Sequence, residues 1–136
     1  MPRKKKSSVK LTWQEDADIQ ITVNHLITLL EMSHLRGHRI FCYRTYGSSA
    51  GAYARIWSFP KIFQSVLNIE AAYVIEVISE KFDRLSADDQ IKVLIHELLH
   101  IPKNFSGTLL PHKYGKTTID REVKVLYKMF QDKSRE

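Results

Sequence analysis

Cysteine is nearly absent. Cys42 is the only one among 136 residues, which excludes an intrachain disulfide and a zinc knuckle built on thiolates. Glycine and proline are also scarce, at 5 and 4 residues, and no Gly-rich loop of the kind that cradles phosphates is present. No apolar run approaches the roughly 18–20 residues needed to span a bilayer. The N-terminal Met1-Pro2-Arg3-Lys4-Lys5-Lys6 is followed by no apolar stretch of the kind a secretory signal carries, so export is not expected. A cytoplasmic protein without a membrane contact is the expectation.

What is present suits one folded unit. Hydrophobic residues make up 43% of the chain and charged residues 26%, as in ordinary soluble domains. By size this is a single domain over residues 12–136, preceded by a basic, flexible tail over residues 1–11. The net charge is +6, and Arg3, Lys4, Lys5, Lys6 and Lys10 supply much of it. Such a block can bind phosphate backbones by releasing counterions, and it is equally the composition of a solvated end. No RNA-binding aromatic motif or zinc-finger spacing accompanies it. Nucleic-acid contact through Arg3–Lys6 is therefore carried as a loosely specified partner expectation.

Hydrophobic periodicity predicts an α+β order. A capping box, Thr12 with Glu15, starts a first helix whose stripe is Ile19, Val23, Leu26, Ile27 and Leu30, with a stop at Arg36-Gly37. Residues 39–46 and 52–57, rich in β-branched and aromatic side chains, read as strands, the second ended by Pro60. Residues 61–68 suit a short helix. Residues 73–78 suit a third strand, with Glu76 on its wetter side. Ser86 caps a helix that must stop near Ile101 because Pro102 follows. After a loop over 102–116, Thr117 or Thr118 caps a last helix with Ile119, Val123, Leu126, Tyr127 and Phe130 on one stripe. The expected architecture is a small mixed sheet packed by an N-terminal, a central and a C-terminal helix.

The central helix carries the chemistry. Projected at about 100° per residue, Ile91, Leu94, Ile95, Leu98 and Leu99 fall on one side, and Val93, His96, Glu97 and His100 on the other. Two histidines at i and i+4 lie one turn apart on one face, so both imidazoles can reach a single ion. Glu97 lies beside them, in reach of a water at that ion. The ion would lower the water's pKa towards about 7, and the glutamate would take its proton. The competing reading is an apolar helix with two surface or capping histidines. Against it, both histidines point away from the apolar stripe of a helix hydrophobic enough to be buried, where polar groups need partners.

A catalytic zinc usually takes three protein ligands and leaves one position open. His112 is the favoured third ligand, since Pro102, Gly107 and Pro111 can turn the chain back under the helix. Asp120 and Glu122, at the start of the last helix, are its rivals, or else partners that hydrogen-bond a ligand histidine. Tyr114 is a candidate oxyanion donor, with an ordinary loop tyrosine as the alternative. His25, His34 and His38 have no joint geometry and read as exposed or capping residues. Cys42, in an aromatic strand, reads as a small buried residue.

The block YVIEVISEKFDRLSADDQIKVLIHELLHIPKNFSGTLLPHK, residues 73–113, resembles the small phage metallopeptidases, a group also found in archaea and a minimal branch of the zincin class. Its most specific parts are His96-Glu97-Leu98-Leu99-His100-Ile101-Pro102, Phe105-Ser106-Gly107 and Pro111-His112. The resemblance implies a zincin-like fold, with His96, His100 and His112 as ligands of one Zn²⁺, Glu97 as general base, and strand 73–78 near the cleft. Position 106 is serine, where the metzincin pattern has its third histidine, and no glutamate helix of the thermolysin type is present.

Two functions follow as expectations. One is a zinc-dependent metallopeptidase acting on a protein or peptide. The other is a catalytically weak, zinc-stabilised module that binds nucleic acid or a nucleoprotein through its basic tail and surface. A hybrid, a protease carried to DNA by its charge, lies between them. The intact Glu97 favours catalysis, because a purely structural zinc has no use for it.

Overall fold

Asp16, not Thr12, starts the first helix. In the computed structural model, which describes residues 10–135, the side chain of Asp16 accepts the Ile19 amide at 3.0 Å and caps α1 (Ala17–Leu29). Thr12–Glu15 instead form a strand, β1, antiparallel to β2 (Ile40–Tyr46) with Trp13 opposite Thr45. The Thr-x-x-Glu pattern is thus overridden by a stronger cap one turn later. The second Asp16 oxygen takes Arg44 at 2.7 Å, a long-range partner no local pattern shows. The helix also ends earlier than Arg36-Gly37, at Leu29.

The chain continues through β3 (Ala54–Ser58), α2 (Lys61–Leu67), β4 (Tyr73–Ile78), a one-turn α3 (Ser79–Phe82), α4 (Ala87–Leu99) and α5 (Ile119–Ser134). The expected loop after α4 contains a small hairpin, β5 (Lys113–Tyr114) with β6 (Thr117–Thr118). It went unseen in the sequence because two-residue strands carry no periodicity. The main sheet has the order β1-β2-β4-β3, with β2 and β4 parallel and both outer pairs antiparallel. The fold is α+β with a mixed sheet, as the pattern predicted. Residues 1–9, with the tail cations Arg3, Lys4, Lys5 and Lys6, lie outside the described residues.

One face of the sheet is the core. Ile40 and Cys42 of β2 and Tyr73, Ile75 and Val77 of β4 pack against Val23 and Leu26 of α1 and Leu94, Ile95 and Leu98 of α4, all buried. Full burial of each such aliphatic side chain contributes about 1.5–3 kcal/mol. Cys42 is buried as expected, and burial pushes its thiol up to about 12.

Glu76 is on the wetter side of the sheet, as expected, yet its own side chain is buried. It lies on the opposite face but is only 3% exposed. Its carboxylate accepts hydrogen bonds from the Thr45 hydroxyl, from Trp57 Nε1 at 2.8 Å and from Arg55 Nε at 3.1 Å. Burial opposes its ionisation, and these three donors outweigh burial and hold the carboxyl below its ordinary range. Large neighbours on β1 and β3 shelter this face in a way that alternation along β4 alone does not reveal.

Candidate metal centre

Ser86 accepts the Asp89 amide at 3.1 Å and opens α4, whose first turn also carries Asp88 and Asp89, the charge a helix N-terminus favours. With Leu94, Ile95 and Leu98 pinned to the sheet, the 3.6-residue period turns His96, Glu97 and His100 towards a cleft of about 1080 Å³. The other cleft walls are β3 and α5, including Trp57, Val123 and Tyr127. The resemblance implies that strand 73–78 lies near the cleft. That strand sits between β2 and β3, and β3, the edge strand, lines the cleft instead.

The loop after the helix returns His112 to the same place. Gly107 has a φ of 96°, a conformation glycine adopts freely, and a Cβ there would meet Gln64 Nε2 at 2.2 Å and the Phe59 carbonyl at 2.6 Å. The buried Tyr73 hydroxyl accepts the Gly107 amide at 2.8 Å and donates to the Thr108 carbonyl at 2.9 Å. Gln64 donates to the carbonyl of Ser106 at 3.0 Å. Phe105, itself at a φ of 49°, sets its ring edge-on to Tyr73 at 5.0 Å. Backbone bonds then fasten both ends, Leu110 N–H to the His100 carbonyl and Ile119 N–H to the His112 carbonyl, each at 2.7 Å.

The three imidazoles converge, with ring centroids 5.0 Å (His96–His100), 5.2 Å (His96–His112) and 4.9 Å (His100–His112) apart. One ligand atom from each lies within 4.8 Å of the others. His100 Nδ1 donates to the Leu110 carbonyl at 2.6 Å, which leaves the Nε2 lone pair directed at His96 Nε2, 3.3 Å away. Tetrahedral zinc with Zn–N of about 2.0–2.1 Å requires N···N separations of about 3.3–3.4 Å, so this pair fits the ion. His96 Nδ1 faces the exposed Asp120 Oδ1 at 3.7 Å, near enough for attraction but beyond hydrogen-bond distance. Burial, then the neighbouring histidines, holds His96 below the ordinary histidine range, against Asp120. Burial and His112 do the same for His100. Both rings are kept neutral, the form that ligates.

Glu97 is 6% exposed, and its Oε2 is buried without a hydrogen-bond partner among the described residues. Burial pushes its carboxyl up to about 7. An orphaned buried carboxyl oxygen beside three converging imidazoles is a donor set suited to a divalent cation and its water.

The other site candidates separate clearly. Asp120 lines the cleft beside His96. Glu122 accepts from the Thr117 hydroxyl at 2.9 Å and is outside the converging group. Tyr114 is half-buried, with burial and then Glu122 pushing its hydroxyl up, and is not among the described residues that line the cleft. His25, His34 and His38 join no such group among the described residues. Sequence reading missed Tyr73 and Gln64 as anchors of the loop. For Tyr73 a signal existed, since a buried tyrosine hydroxyl needs a partner.

No curated protein and no solved structure matches the chain. One family does, over residues 11–131, and this span takes in all three histidines, Glu97, Tyr73 and the loop they share. The chain belongs to the family described as “Putative phage metallopeptidase”.

Proposed function

We propose that this protein is a zinc-dependent peptidase that hydrolyses amide bonds in a protein or peptide substrate. The observation that carries this reading is the convergence of three imidazoles beside a buried carboxyl with no hydrogen-bond partner among the described residues. His96, His100 and His112 would hold one zinc ion. A bound zinc supplies polarisation of the scissile carbonyl and lowers the pKa of water to about 7. Among the described residues no fourth protein ligand converges, which leaves room for water and substrate as catalytic sites require.

Glu97 acts as general base and then as general acid. It accepts a proton from the attacking water and returns it to the departing amine nitrogen. A carboxyl raised to about 7 in the metal-free site can do both near neutral pH, and a cation beside it favours the ionised, proton-accepting form. The Leu110 carbonyl orients the His100 ring, and Asp120 lies near the second nitrogen of His96. β3 presents a free sheet edge along the cleft, to which an extended peptide can add as a further strand. A single, buried cysteine suits work in the reducing cytoplasm.

The test pairs metal analysis with proteolysis of an unfolded protein substrate. Wild type should bind one zinc per chain. Glu97→Gln should keep that zinc and lose activity by a factor of about 10²–10⁴. His112→Ala should weaken zinc binding at least tenfold. Zinc affinity unchanged in His112→Ala would sink the third ligand, and zinc-loaded wild type that cleaves nothing would sink the peptidase.

A further inference from the structure

The sheet has a second face, and it is aromatic. Phe41 on β2, Val74 on β4 and Trp57 on β3 form one cross-strand row, and Tyr43, Glu76 and Arg55 form the next. Trp13 stands on β1 opposite Thr45. No helix among the described residues covers these rings. Trp13 is 59% exposed, Trp57 52% and Phe41 39%. They border a groove of about 660 Å³ together with Tyr43 and Phe59. A monomeric sheet normally turns such side chains inward, so an exposed platform of this size marks a binding surface.

The charge on this face is specific. The Arg39 guanidinium lies 5.7 Å from the Phe41 ring centre and that of Arg55 lies 5.3 Å from Trp57. Lys10 is exposed just before β1. Two carboxylates share the face, Glu76 engaged by Arg55, Trp57 and Thr45, and Glu15 accepting from the Tyr43 hydroxyl at 3.4 Å. The whole chain carries +6, and Arg3–Lys6 precede β1 in the sequence. A flat array of exposed rings flanked by cations takes ligands that are flat and anionic at once.

We propose that this face binds single-stranded nucleic acid, with bases stacked on Trp13, Phe41 and Trp57 and phosphates met by Arg39, Arg55 and Lys10. Rings on the same strand two residues apart, as Phe41 and Tyr43 are, lie about 7 Å apart, a spacing that splayed bases of an extended strand can follow. A duplex keeps its bases stacked on each other and offers no faces to such rings. Arg55 and Trp57 also line the catalytic cleft, so β3 is the shared wall between the two surfaces. A protein held on the nucleic acid would then be presented at the peptidase site. The binding itself does not depend on the peptidase reading.

Trp13 and Trp57 are the only tryptophans in the chain, so tryptophan fluorescence reports on this face and on the wall that Trp57 shares with the cleft. The experiment titrates the full-length, zinc-loaded chain with oligo(dT) at low salt. Quenching should saturate, weaken as salt rises, and be at least tenfold less sensitive to a duplex of equal length. Phe41→Ala, which keeps both reporters, and Trp13→Ala, which keeps Trp57, should each weaken binding about tenfold, and Phe41→Tyr should restore it. Neither Phe41 nor Trp13 lines the cleft, so cleavage of a short peptide should be unchanged in these variants, which also shows that they fold. Absence of quenching at low salt would overturn the proposal. So would quenching that both alanine variants leave intact and removal of residues 1–9 abolishes. A wild-type dimer that Trp13→Ala converts to monomer in light scattering would assign the face to a second copy and overturn it as well.

Discussion

Glu76 and Glu97 are the same residue at nearly the same burial, 3% and 6% exposed, yet their carboxyls shift in opposite directions. Glu76 sits among three donors and is held low, whereas Glu97 has an oxygen with no donor among the described residues and is pushed up to about 7. Burial alone raises a carboxyl, and only donors or cations reverse that. The contrast separates structure from chemistry in this molecule. Glu76 joins β2, β3 and β4 through its ionised form. Glu97 has an oxygen without a donor among the described residues, which suits the general base proposed for it.

Breaking the contrast should give unequal results. Glu76→Leu strands the Arg55 guanidinium, the Trp57 N–H and the Thr45 hydroxyl. It should destabilise the protein by about 3–5 kcal/mol, read as a lower urea midpoint with little change in slope. Glu97→Gln should do the reverse in metal-free protein at pH 8, where wild type must hold a desolvated charge. We expect a gain of about 1–3 kcal/mol, and a loss of that size would mean that Glu97 has a partner in solution. The smallest effect is acid-linked. Because the folded carboxyl of Glu76 lies below the unfolded value of about 4.3, its contribution is complete above that value and declines as pH falls through the folded pKa. Urea midpoints from pH 7 down to pH 3 should therefore fall less steeply in Glu76→Gln than in wild type.

The parts of the site that were legible beforehand are those fixed within one helix. His96, Glu97 and His100 share a face because 3.6 residues make a turn, and Ser86 and Pro102 mark the helix ends. His112 was harder, since its position depends on Tyr73 and Gln64 gripping the loop from elements far away in sequence. The same limit explains the false start at Thr12. Its capping pattern is locally sound, but Arg44 and β2 decide the matter by drawing Asp16 into the cap and Thr12–Glu15 into the sheet. The burial of Glu76 on the outer sheet face was not foreseen because it depends on what stands on neighbouring strands. The aromatic platform escaped notice for that reason too: Trp13, Phe41 and Trp57 are scattered along the chain and become neighbours only through strand register.

The Tyr73 hydroxyl, grasping Gly107 and Thr108 from inside the core, has a consequence for metal exchange. Closing the eleven residues between His100 and His112 costs about 2 kcal/mol of chain entropy. In a site organised by its ion, the ion would have to supply that energy at every loading, and chelation would loosen the loop. Here the sheet core supplies it during folding, through a phenol that an ion never touches. The ion becomes a replaceable part: chelated protein should keep the native circular-dichroism spectrum, and added zinc should restore activity without a refolding delay.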